Sequence, residues 1–279
     1  MTRHSIWLAI LISIIIASVA IGTIGLQSDA MWHDEQLSLL YAGGLDDAPF
    51  SLSYAANTII QRESGQAPFY YMLLSAWGHT VGWSVFTMRT FSLLIGVLAI
   101  AFAYRVGTDK QSTFSGFCAA VILSASAFFS AYLHEIRTYS LLVLEILMIL
   151  TLYWRLLYNK GSILLMLLFI LTATATLYTH PFAIVAIGAL GLYHILLAPK
   201  TTQWWRIFFL LGLSAMLYAP WGKVTLDIIA NRVENNTRTL TIRTNAEVIR
   251  DMLHAFSNGV WAFILLLVPS IPLLRKSHG

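Results

Sequence analysis

Eight apolar runs of 16 to 21 residues punctuate the chain: 6–26, 88–105, 114–133, 139–158, 162–177, 181–198, 205–221 and 256–274. Each is long enough, or nearly so, to cross a hydrocarbon layer as a helix of about 20 residues. Only helices satisfy their own backbone polar groups in lipid, so the runs predict helices. A ninth stretch, 68–84, is apolar and aromatic but is interrupted by Gly78, His79 and Gly82. Its role follows from parity. If it crosses, Arg3 faces opposite to the clusters Arg105/Lys110, Arg155/Lys160, Lys200/Arg206 and Arg275/Lys276. If it lies along the interface, all five basic clusters share one side, as the cytoplasmic bias of Lys and Arg requires. The pattern therefore predicts an all-α polytopic bundle of about eight spans. Interfacial helices lie in a first outer loop, 27–87, and a second long outer loop covers 222–255. The whole chain, 1–279, reads as one transmembrane domain. Its first run is an uncleaved anchor with the N-terminus cytoplasmic.

Composition agrees. Of 279 residues, 58% are hydrophobic and 11% charged, against roughly 25% charged in soluble domains. The net charge of +4 is too diffuse to suggest nucleic acid, and the single Cys118 excludes an internal disulfide. Membrane lipids are the expected surroundings, and a multi-pass place in the plasma (inner) membrane is the expected location.

The polar residues left on the outer side carry the candidate chemistry. The first outer loop holds Asp29, Asp34, Glu35, Asp46, Asp47 and Glu63 against one base, Arg62. Asp34 and Glu35 open a short helix that ends at Gly43-Gly44; adjacent acids there suit either the helix dipole or a general base near apolar surface. Glu135 and Arg137 sit in a turn between two runs. They read as a surface ion pair or as a second acid with an anion-binding arginine. His180 stands before Pro181 at another junction, as an interfacial anchor or as a ligand. Glu145 lies within a run, where an acid is either a functional group or a hydrogen-bonded structural one.

Five stretches in order carry a family resemblance: MWHDEQLSLLYAGG around Asp34-Glu35, QAPFYYMLLSAWGHTVG from Gln66, MRTFSLLIGVLAI with Arg89, HEIRTYSLLVL with Glu135, Arg137 and Tyr139, and LYTHPF with His180. Together they resemble the polyprenyl-phosphate-sugar-dependent membrane glycosyltransferases of the GT-C fold, in the protein-mannosyltransferase-like and Rhizobium lipopolysaccharide-core glycosyltransferase-like group, over roughly residues 5 to 200. The resemblance implies inverting transfer of a sugar from a polyprenyl-phosphate donor to an acceptor hydroxyl on the outer face. The acceptor would be a glycan, lipid or protein. Asp34 would be the catalytic base and Glu35 its helper. Glu135 would be a second acidic site, with Tyr139 and His180 beside the substrate. Arg89, Arg137 and an arginine of the last outer loop, Arg243 or Arg250, would neutralise the departing phosphate. A divalent ion at Glu135 and His180 is the cofactor to be considered. The family's histidine before Pro is Gln66 here, which argues against that ion. Members of that family usually run longer, which suggests a compact member, a truncated gene product or a piece that needs a partner chain. The other classes considered are a transporter or lipid flippase, and a non-catalytic subunit of a glycan-assembly complex. Against the transporter, no repeated halves are visible and only Glu145 is ionic away from the ends of a run.

Overall fold

The computed structural model describes residues 3–24, 26–27, 30–46, 48–51, 53–62, 64–158, 162–235 and 250. The chain divides into two compact units, Met1–Asn231 and Arg232–Gly279, where the sequence suggests a single domain. All regular structure among the described residues is helical. The run 256–274 and Arg243 lie outside them.

Among the described residues, three helices are long and apolar enough to cross a membrane: α5 (Val85–Lys110), α8 (Tyr139–Tyr158) and α11 (Thr202–Asn235). A fourth span exists if α6 (Thr113–Ser124) and α7 (Ala127–Leu133), which meet at 66°, count as one. α1 (Arg3–Thr23), α9 (Ile163–Thr179) and α10 (Ala183–Leu196) are apolar over shorter lengths. Two expectations change here. The run 114–133 is broken because Ser126 turns out of the helix and caps α7, accepting from Phe129 N; serine offers the backbone this alternative partner. The outer loop expected from 222 instead begins as helix. α11 continues through Pro220 to Asn235, since Val224, Leu226, Ile228 and Ile229 keep a helical apolar spacing.

The loop 27–87 is a folded helical layer. α2 (His33–Ala42), α3 (Tyr54–Gln61) and α4 (Phe69–Val81) pack on one another, and α4 packs on α5 and α9. α4 has 13 residues, about 20 Å of helix, which is short of the roughly 30 Å hydrocarbon core. α2 ends where Gly43 takes φ 87°, a left-handed value that glycine adopts without steric cost. Gly44 N then reaches back to the Leu39 carbonyl at 2.8 Å, a pattern that satisfies the last carbonyls of the helix. Rings of Tyr41 and Tyr71 lie 5.1 Å apart, and those of Tyr70 and Tyr71 5.4 Å apart. This aromatic wedge is fully buried and fixes α2 against α4.

α5 is the central helix, in contact with α1, α4, α6, α7 and α8. Its approach to α6 depends on glycine: a Cβ on Gly107 would lie 2.6 Å from the Gly116 Cα. Small residues let helices meet at backbone distance in lipid. Gly107→Ala is therefore expected to cost about 1–3 kcal/mol through overpacking. Thermal unfolding in detergent reads this, with Gly188→Ala, where nothing lies within 4 Å, as the variant that leaves the midpoint unchanged.

Candidate functional site

The site is built on the first turn of α2, the first residues of α5, the turn between α7 and α8, and the end of α9. Successive residues of a helix point about 100° apart, so Asp34 and Glu35 cannot share an environment. Glu35 turns inward and is fully buried. Its Oε1 accepts from Arg89 Nε at 2.9 Å and its Oε2 from Arg89 Nη2 at 2.7 Å. Oε1 also accepts from the backbone of Ile136 at 3.1 Å, and Oε2 from that of Trp32 at 3.4 Å. Arg89 Nη1 donates to the Leu26 carbonyl at 3.0 Å. One carboxylate thus ties α2, α5 and the α7–α8 turn together. A buried pair is tolerated only when so fully hydrogen-bonded. Arg89, expected beside a phosphate, is engaged here by a carboxylate and a backbone carbonyl, and Glu35 accepts on both of its oxygens.

Asp34 stays partly open, its side chain 34% exposed, with Oδ2 3.1 Å from Arg137 Nη1. Arg137 itself is buried. Its guanidinium carbon stands 5.9 Å from the Trp32 ring and 5.5 Å from the Tyr139 ring, within range of cation–π attraction. Arg137 Nη2 donates to the Tyr139 hydroxyl at 3.4 Å, while its Nε has no hydrogen-bond partner among the described residues. The Tyr139 ring lies 5.4 Å from that of His180. Asp34, Arg137, Tyr139 and His180, drawn from three separate stretches of sequence, form one continuous chain of contacts. Gln66 sits behind it, accepting from the Tyr71 hydroxyl at 3.3 Å.

Glu135 faces a different space. It lines a cleft of about 390 Å³ with Ile24, Ala30, Trp32, Glu35, Arg89, Ala131 and His134. Partial burial raises its pKa above the usual carboxylate value, and the charge of Glu35 adds to this. Its Oε2 is buried without a partner among the described residues. Trp32 borders this cleft and also the Arg137 guanidinium, so one indole adjoins both the Glu135 cleft and the Asp34–Arg137 pair. Deeper, Glu145 accepts from Thr179 Oγ1 at 3.0 Å and joins α8 to the end of α9.

His180 caps α9, and its Nδ1 accepts from Phe182 N at 3.1 Å. That bond leaves the ring proton on Nε2. Burial, aided by the nearby Arg137 charge, lowers its pKa from 6.5 to about 4. The neutral ring therefore stabilises the fold above pH 6.5, and this contribution is lost as the pH falls toward about 4. His180→Asn, whose amide oxygen can replace Nδ1, is expected to flatten that part of the acid melting curve; an unchanged pH dependence between 6.5 and 4 would count against it.

Glu135 and His180, considered above for a divalent ion, do not fit that role together. Among the described residues no group of three or more His, Cys, Asp or Glu could hold a metal. His180 has its Nδ1 lone pair engaged and a proton on Nε2, and Arg137 brings positive charge beside it. Arg243 lies outside the described residues, and Arg250 belongs to the second unit; neither is placed at the site. Trp32 and Tyr71 escaped the sequence reading. Trp32 immediately precedes His33-Asp34-Glu35, and that adjacency was the available signal. Compared with protein families, curated proteins and solved structures, the chain matches no family model, no curated protein and no solved structure.

Proposed function

We propose that the chain is a membrane glycosyltransferase that moves a sugar from a polyprenyl-phosphate donor to an acceptor hydroxyl of a glycan, lipid or protein. The observation that carries the reading is the 3.1 Å pair between Asp34 and Arg137, flanked by Trp32, Tyr139 and His180 at one end of the bundle. It sets a partly open carboxylate beside a buried guanidinium and aromatic faces. Those are a proton acceptor, a phosphate ligand and surfaces on which a sugar ring can lie. In the reaction the acceptor oxygen attacks the anomeric carbon as the bond to phosphate breaks. The polyprenyl phosphate leaves with the electron pair, and Asp34 takes the hydroxyl proton. Arg137 is shared between the two anions. A phosphate drawing the guanidinium away from Asp34 frees the carboxylate to act as base, so donor binding and base activation are coupled. Electrostatic stabilisation of the leaving anion is the larger part of the rate gain. No step needs a metal.

In this reading the chain makes eight crossings of the plasma membrane, with α4 interfacial. The N-terminus is cytoplasmic and the site lies at the outer leaflet. Supporting it, α5 and α8 both start at the site and end in basic residues, Arg105 and Lys110 on one, Arg155 on the other, as the charge bias of cytoplasmic ends demands. The test is transfer by the purified chain in proteoliposomes that contain a polyprenyl-phosphate sugar. Product with inverted anomeric configuration supports the reading. Donor movement across the bilayer without transfer indicates a flippase, and inactivity cured only by a second protein indicates a subunit.

A further inference from the structure

The ends of α5 and α8 remote from Asp34 form a second cleft, of about 590 Å³, lined by Arg105, Asp109, Lys110, Trp154, Arg155 and Tyr158. Among the described residues that line it, three cations face a single carboxylate. Arg105 Nε donates to Asp109 at 3.0 Å, and Arg155 Nε and Nη2 donate to it at 3.1 and 2.9 Å. The two Nη groups of Arg105 and the Nη1 of Arg155 have no protein acceptor among the described residues. Lys110 Nζ stands 3.5 Å from the centre of the Trp154 ring and 5.5 Å from that of Tyr158. It too lacks an acceptor among the described residues. The Trp154 and Tyr158 rings are stacked, 5.7 Å apart at 11°. Plain topological charge needs none of this: its side chains can extend separately into water. Here one acid gathers two guanidinium groups, and a pair of stacked rings holds the ammonium over the same cleft.

We propose that this cleft binds the phosphate of an anionic lipid head group. The unpaired N–H groups of Arg105, Arg155 and Lys110 would donate to the phosphate oxygens, the fork of arginine being suited to that geometry. The position favours a lipid over a soluble phosphate. Both helices are apolar spans that end here, and tryptophan and tyrosine settle at the level where head groups begin. Acyl chains would run along the adjoining apolar faces. The site is independent of the transfer chemistry at Asp34.

Native mass spectrometry of the full chain, titrated with phosphatidylglycerol or phosphatidylcholine, tests the assignment. Phosphatidylglycerol is expected to be retained preferentially. A juxtamembrane basic residue is worth about 1 kcal/mol, or roughly fivefold, toward anionic lipid. Arg105→Gln/Arg155→Gln is therefore expected to weaken phosphatidylglycerol binding by about 25-fold and to leave phosphatidylcholine unchanged. Asp109→Asn removes the one opposing charge and is expected to tighten binding about fivefold, a sign that a merely structural role for Asp109 would not produce. Should the double variant fail to fold, Lys110→Gln, expected to weaken binding about fivefold, stands in for it. Equal retention of the two lipids, or no tightening in Asp109→Asn, overturns the proposal. So does displacement of the lipid by equimolar inorganic phosphate, which identifies a soluble anion as the occupant.

Discussion

Asp34→Asn is expected to slow sugar transfer about 10²–10⁴-fold, the usual contribution of a positioned general base, while the protein stays folded. The amide oxygen can still accept from Arg137 Nη1, which now lies 3.1 Å from Asp34 Oδ2, so the side chain keeps its place. What is lost is the ability to take a proton. The cost in stability is small because the aspartate is a third exposed, 34%, and the amide keeps a hydrogen bond to the buried Arg137 guanidinium. Transfer in proteoliposomes and a melting curve on the same preparation separate the two effects. Turnover close to that of the unsubstituted chain would remove Asp34 as the base. A melting point lowered along with activity would make it a structural anchor instead.

The largest effect on stability belongs to the neighbouring acid. Glu35→Gln or Arg89→Leu each leaves an uncompensated buried charge, and each is expected to cost about 3–5 kcal/mol. The double variant Glu35→Leu/Arg89→Met should recover much of this, since apolar side chains of similar volume often replace a buried pair without loss. Denaturation in detergent of the parent, Glu35→Leu, Arg89→Met and their double variant gives the coupling directly. Single variants within about 1 kcal/mol of the parent would mean that the pair is solvated and does not organise the site. The double variant has a second use. It lacks the acceptor for Ile136 N, so a stable double variant with poor transfer would show that Glu35 acts by placing the 134–138 turn.

Much of this was legible in local pattern. The run 139–158 became α8 with the same limits, because an apolar stretch ending at Arg155 and followed by Lys160 and Gly161 leaves the helix little choice. Gly43 ended α2 as its lack of a side chain suggests. The contacts linking residue 34 to residues 137, 139 and 180 follow the order of stretches that carried the resemblance. Other features depend on distance in sequence and could not be read from spacing. Glu35 and Arg89 are 54 residues apart, and nothing local announces that they will neutralise each other. The break at Ser126 turns on whether a serine side chain caps or stays in the helix, which its neighbours decide. Residues 222–235 looked like loop because Asn, Thr and Arg are mixed among them. Their apolar spacing proved the stronger signal.

α5 also fixes a length. Arg89, bound into one end of the bundle, and Arg105, in the basic cleft at the other, belong to one unbroken helix. Sixteen residues of helical rise separate them, about 24 Å. Neither guanidinium can shift along the bilayer normal without the other, so the helix acts as a ruler held at both ends by charge. The protein should match a hydrocarbon layer of about that thickness, and in a much thicker bilayer it must tilt less or thin the lipid around it, at a fraction of a kcal/mol per Å.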